Sequence, residues 1–144
     1  MKTVKQVLGG KGAAVHSIGP EAPVFEALQR MAAEDVGALV VIDHGELVGI
    51  LSERDYARKV ILLGKASKEI PVRDIMSSRV VCVSPERPME ACMALMTENR
   101  VRHLPVLEHD RLVGVISIGD VVKAIIEDQQ FAIEQLEHYI KGAP

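Results

Sequence analysis

The chain has 144 residues, of which 48% are apolar and 26% charged, with a formal net charge of −3 and a pI of about 5.9. That composition excludes disorder and collagen, and the length suits one globular domain burying roughly 68–70% of its unfolded surface. With no basic excess and only 3% aromatic residues, neither a phosphate-backbone grip nor base stacking is expected, so nucleic acid is not an expected partner.

Cys82 and Cys92 form no C-x-x-C pair and have no His at metal-ligand spacing, so both read as small buried apolar residues. No apolar run reaches membrane-spanning length, and the first residues lack a signal-peptide core. No membrane partner is expected, and a reducing cytoplasm is the expected location. No G-x-S-x-G, H-E-x-x-H, P-loop or zinc spacing occurs, so an enzyme is not expected. Gly9-Gly-Lys-Gly12 misses the P-loop pattern and reads as a flexible lead-in, with Lys11 able to approach a phosphate.

The elements follow in chain order. A short apolar strand, Val15–Ile18, ends near Pro20. A helical pattern then places Val24, Leu28 and Met31 on one face. Two apolar strands, Leu39–Ile42 and Leu47–Leu51, flank Asp43-His-Gly-Glu46, a hairpin loop. A second helix begins at Ser52. The whole series then recurs. A shift of 65 residues aligns Val15–Ile61 with Val80–Ile126 without a gap, giving 15 identities in 47 positions. The second copy places Met89, Met93 and Met96 on its helix face, has strands Leu104–Leu107 and Leu112–Ile116, and starts its last helix at Ser117. A shorter lead-in repeats at an offset of 68, Val4–Leu8 with Val72–Met76. The fold class is therefore α/β, a tandem pair of β-α-β-β-α units. Residues 1–66 are assigned to the first repeat with its lead-in, 67–126 to the second, and 127–144 to a C-terminal helix and tail. That helix, Glu127–Lys141, carries one apolar stripe, including Ile133, Leu136 and Ile140, for a dimer contact or an intrachain cap.

Each strand-to-helix junction carries Ser-x-x-Asp: Ser52 with Asp55, and Ser117 with Asp120. A helix N-terminus offers free N–H groups and a positive dipole end to a phosphate, and the carboxylate suits a ribose diol. The same spacing is also close to a capping box, which only satisfies orphan N–H groups. Arg54 and Arg58, one helical turn apart, add cations in the first copy, where a solvated helix face is the alternative; the second has Gly119 and Lys123 there.

The duplication resembles the CBS-domain pair, named for the domain in cystathionine β-synthase. The residues that carry the resemblance are Val72-Arg-Asp-Ile-Met76, the strand Val101–Val106, and the phrases Gly49–Asp55 and Gly114–Asp120. It covers nearly the whole chain, about Val4 to Ile126. The resemblance implies two repeats packed through their sheets with pseudo-twofold symmetry. It implies a regulatory module binding an adenosyl ligand in the cleft between them: AMP foremost, or ADP, ATP, NAD(H) or S-adenosylmethionine. It also implies that Arg102 and His103 face the ligand's phosphates and that Pro105 shapes the wall beside the base. Arg grips phosphate bidentately, and His adds a pH-dependent charge. The first repeat has Gly37, Ala38 and Val40 in those places, so its half-site is expected to be weaker or differently selective. Two facing pockets would also suit the halves of a dinucleotide. The resemblance further implies a homodimer, and a sensor reports to a protein target that the sequence leaves unidentified. The alternative is an interaction and dimerisation module with a vestigial pocket.

Overall fold

The structure is a computed structural model that describes residues 1–12 and 14–142. Its elements run in the order α1 (Val4–Lys11), β1 (Ser17–Ile18), α2 (Val24–Glu34), β2 (Ala38–Asp43), β3 (Glu46–Ser52), α3 (Glu53–Tyr56), α4 (Met89–Asn99), β4 (His103–Glu108), β5 (Arg111–Ser117) and α5 (Ile118–Ile140). A π-helical stretch, Ala57–Ile61, continues α3, and a 3-10 turn spans Val72–Asp74. The chain gathers into two compact units. One holds residues 14–80; the other holds the described residues of 1–13 and 81–144.

The 14–80 unit has a three-stranded sheet. β1 pairs parallel with β2, and β2 pairs antiparallel with β3. The β2–β3 turn is His44-Gly45, both at positive φ (50° and 80°), the twist that suits a two-residue hairpin. α2 follows Pro23, whose fixed φ suits a helix start, and stops at Asp35 in the left-handed region. Its buried residues are Val24, Ala27 and Met31, with Leu28 partly buried against the same core. Leu39, Val41 and Leu51 complete that core from the sheet.

The other unit repeats the plan. β4 and β5 form an antiparallel pair, and the counterpart of β1 is reduced to a parallel bridge between Val83 and Val106. Its hairpin turn is His109-Asp110, again both at positive φ, so an Asp takes the place of Gly45. The face of α4 differs from the sequence expectation. Met89, Cys92 and Met96 are buried, whereas Met93 stands exposed. Cys92 lies one residue earlier and so falls on the core-facing stripe three residues after Met89. Cys82 is only half-buried, and burial pushes both thiols up.

The lead-ins do not stay with the repeats they precede. α1 packs on the second repeat's sheet, where Leu8 lies over Gly114. The second lead-in packs on the first repeat, where Met76 lies over Gly49. The Thr3–Pro88 and Pro23–Pro71 bridges fasten the two segments in the same crossed manner.

The C-terminal helix is also a correction. No new helix starts at Glu127: α5 runs unbroken for 23 residues from Ile118. Nothing between Asp120 and Ile140 breaks it, since that stretch holds neither Gly nor Pro. Lys2 tethers its middle, donating to Asp128 Oδ2 from its backbone N–H and pairing its ammonium with Glu127. Beyond Asp128 every described residue of the helix is exposed, so the stripe does not cap its own unit.

Candidate functional site

β5 delivers Ser117 to the start of α5 in an extended conformation (φ −98°, ψ 164°), as a helix N-cap requires. The Ser117 hydroxyl accepts from the Asp120 N–H at 3.2 Å, and Asp120 Oδ2 accepts from the Ser117 N–H at 2.8 Å. The Ile118 N–H donates to the Arg102 carbonyl at 2.9 Å, which ties the helix start to the beginning of β4. His103 stands directly opposite Ser117 in the β4–β5 ladder. Arg102, His103, Ser117 and Asp120 therefore meet at one end of the ladder. Pro105 lies two residues further along β4, on the same face as His103 and buried.

A fifth residue joins them. The Lys11 ammonium donates to Asp120 Oδ2 at 2.6 Å and to the Val115 carbonyl at 3.1 Å. Burial alone pushes the Asp120 carboxyl up, but Lys11 and the Ser117 hydrogen bonds together hold it below the usual carboxylate range. His103 moves down as well. Burial is the main cause, the Lys11 and Arg102 charges add to it, and the Asp120 carboxylate opposes them. His103 is consequently a neutral imidazole at pH 7, and positive charge at this end of the ladder rests on Arg102 and Lys11.

The counterpart in the first repeat has the same frame and other charges. Ser52 caps α3, its hydroxyl accepting from the Asp55 N–H at 3.2 Å. Asp55 Oδ2 accepts from the Ser52 N–H and hydroxyl, both at 3.0 Å. The Glu53 N–H donates to the Gly37 carbonyl at 3.0 Å, matching the Ile118–Arg102 bond. The cation here is Lys59, whose ammonium sits 3.3 Å from Asp55 Oδ1 and also donates to the Ile75 carbonyl at 2.9 Å. Arg54 and Arg58 are both exposed. Ala38 and Val40 take the positions of His103 and Pro105, so β2 brings no polar side chain to them.

Both Ser-x-x-Asp motifs therefore complete reciprocal capping boxes, the alternative weighed from the sequence. Capping does not account for the basic groups gathered beside Asp120. Lys59 was legible as the i+4 partner of Asp55. Lys11 was not legible as the partner of Asp120, because 109 residues separate them and no sequence signal says which sheet α1 packs on. A shallow groove along α5, between Ile118 and Gln130, includes Gly119 and Lys123 but not Asp120. Among the described residues no cluster of His, Cys, Asp or Glu is placed to hold a metal ion, and no helix is long and apolar enough to cross a membrane.

Two β-α-β-β-α units, each ending a strand at a Ser-x-x-Asp helix start, define a duplicated α/β module. The chain belongs to the CBS-domain family: the CBS domain matches residues 13–61 and again residues 72–127. It is 43% identical over 124 residues to the mitochondrial CBS domain-containing protein CBSX3 of Arabidopsis thaliana, covering 83% of this chain. The chain spans 60% of that plant protein's length. The crystal structure of the CBS domain NE2398 is 51% identical, with a TM-score of 0.83 over 87% of this chain and 98% of the other. A CBS-domain protein of Burkholderia ambifaria MC40-6 assigned to signal transduction is 46% identical, with a TM-score of 0.86 over 89% and 96% of the two chains. Family membership places the chain among signal-transduction and regulatory modules.

Proposed function

We propose that the chain is a regulatory module that binds an adenine nucleotide, with AMP preferred, and passes its occupancy to a protein target. The observation that carries this reading is the meeting of Arg102, His103, Ser117, Asp120 and Lys11 at the start of α5. Asp120 supplies an acceptor for a ribose diol. Arg102 and the helix N-terminus supply donors for a phosphate. Pro105 offers an apolar wall to the base. Asp55 with Ser52, Arg54 and Arg58 forms a second, weaker half-site. ADP, ATP, NAD(H) and S-adenosylmethionine share the adenosyl group and are the competing ligands. The chain acts as a binding module and carries out no reaction, in a reducing compartment such as the cytoplasm.

The exposed apolar residues of α5 favour a homodimer as the working form. Phe131, Leu136 and Tyr139 are 64%, 61% and 83% exposed on the part of α5 beyond Asp128, where every described residue is exposed. The completed capping boxes favour a second reading, an interaction module with a vestigial pocket. One measurement separates the two. The protein is unfolded, stripped of small molecules, refolded and melted with each adenylate in turn. A ligand that binds the native state raises the midpoint by mass action. AMP should give the largest rise. A midpoint unmoved by all six adenylates leaves the interaction module.

A further inference from the structure

From the geometry we infer that Lys11 is an exchangeable latch on the proposed nucleotide site: it closes on Asp120 when the site is empty and transfers to the ligand's phosphate when a nucleotide binds. The inference rests on the adenylate reading of the Asp120 site and assigns that site its preference for a phosphorylated ligand.

Asp120 Oδ2 accepts from Lys11 at 2.6 Å and from the Ser117 N–H at 2.8 Å. A ribose diol that approaches this carboxylate meets an acceptor already committed to an ammonium. Releasing that ammonium into water gives up a charge-assisted bond, and a nucleoside offers nothing in return. A nucleotide does offer something, because its phosphate is a stronger partner for Lys11 than the Asp120 carboxylate shared with Ser117.

The segment that carries Lys11 is built to let go. Leu8 is the last residue of α1 anchored in the core. Gly9, Gly10 and Gly12 surround Lys11, and the space beside Gly9 and Gly10 is open. Gly9 and Gly10 lie inside α1, where glycine weakens a helix, and Gly12 ends it at positive φ, so the final turn of α1 is the least secured part of the helix. Asp55 has no such device. Its cation, Lys59, reaches the Ile75 carbonyl at 2.9 Å much as Lys11 reaches the Val115 carbonyl at 3.1 Å, but it stands next to buried Val60 with no glycine beside it. The two repeats therefore bind a carboxylate through a movable cation in one case and a fixed one in the other.

The experiment compares AMP with adenosine by calorimetric titration of the full chain, stripped by unfolding and refolding, as wild type, Lys11→Met and Lys11→Arg. Lys11→Met should bind AMP about tenfold more weakly, the loss of one charge-assisted bond. It should bind adenosine as well as wild type does or better, because the latch no longer has to open. Lys11→Arg keeps the charge and should retain most of the AMP preference. Equal loss for both ligands in Lys11→Met would make Lys11 a scaffold residue and overturn the latch. Unchanged AMP affinity would overturn it too, as would a Lys11→Arg protein that behaves like Lys11→Met. If wild type binds neither ligand, the adenylate reading itself fails and the latch falls with it; if wild type binds AMP and the variants do not differ, the latch alone fails.

Discussion

The side chain of Leu8 occupies the space that a β-carbon would need at Gly114, its two methyl groups 2.8 and 2.9 Å from that position. Met76 stands in the same relation to Gly49, with its sulfur 2.6 Å from the corresponding position. Each glycine in the Gly-led strand is therefore a seat for a lead-in, and each seat takes the lead-in of the other repeat.

The two seats should respond differently to a methyl group. At Gly114 only the movable methyls of Leu8 are in the way, so Gly114→Ala should cost about 0.5–1.5 kcal/mol, the scale of a displaced rotamer. At Gly49 the Ser77 carbonyl also lies 3.0 Å away, and that oxygen accepts from the Ile50 N–H at 3.0 Å. Backbone cannot give way as a side chain does, so Gly49→Ala should cost about 1–3 kcal/mol. Thermal midpoints of both variants check the order. Hydrogen exchange should also quicken across Val4–Lys11 in Gly114→Ala and stay unchanged there in Gly49→Ala.

What the sequence disclosed depended on distance along the chain. Both hairpins, both Ser-x-x-Asp helix starts and the helix after each Pro are local signals, and they were legible. The offset of 65 made them legible twice over. Contacts that rest on long-range packing were not. The crossed lead-ins leave no trace in either lead-in's own residues, since Leu8 and Met76 are both simply apolar. The unbroken α5 was missed because the repeat ends at Ile126 while the helix, with no breaker there, does not. Cys92 was read correctly as a small buried residue, but Met93 was placed on the core face beside Met89 and Met96, although helix phase puts Cys92 there and leaves Met93 exposed.

Acid should destabilise the fold partly through His103. Its pKa lies below the ordinary 6.5 in the folded chain because burial and the neighbouring cations disfavour the charged ring. Below pH 6.5 the unfolded chain therefore takes up a proton that the native state resists, and stability falls as pH drops through that window. Asp120 contributes nothing there. Its lowered pKa gives stability that is complete above the ordinary carboxylate value and is lost only as pH falls through the lowered one. The melting temperature of wild type should fall between pH 7 and pH 5, and His103→Asn should fall less. Parallel profiles would show that His103 does not contribute.

Arg102→Ala should weaken AMP far more than adenosine. Arg102 is exposed, and its backbone carbonyl, not its side chain, holds the Ile118 N–H. The substitution therefore leaves the helix start intact. A lost charge-assisted bond costs about 1.5–3 kcal/mol, or roughly 10- to 150-fold in dissociation constant. Equal weakening of the two ligands in titration would make the residue a support for the strand instead.

Truncation after Asp128 should separate assembly from folding. The tether from Lys2 ends at that residue, and the described residues beyond it are exposed. The shortened chain should melt like wild type when both are measured as monomers, and it should lose the dimer that wild type forms at about 50 μM, a concentration that fills a micromolar contact. Light scattering reads the change. A wild type that is monomeric at that concentration would rule out the homodimer, and a truncated chain that still dimerises would place the contact elsewhere.

Replacing each aspartate tests the proposed nucleotide site and its asymmetry together. Asp120→Asn keeps the shape at the start of α5 and leaves an amide oxygen for the Ser117 N–H, but it removes the charge that holds Lys11. Its affinity for AMP should fall by about 10- to 150-fold, the consequence of losing hydrogen bonds to a charged group. Asp55→Asn should cost AMP less, because Ala38 and Val40 bring no polar side chain beside it. Ligand-free melting serves as the control, since each carboxylate also completes a capping box. Removing a cap lowers stability by about 0.5–2 kcal/mol without touching affinity. Lower ligand-free midpoints with unchanged AMP binding in both variants would show that the two aspartates are caps and nothing more.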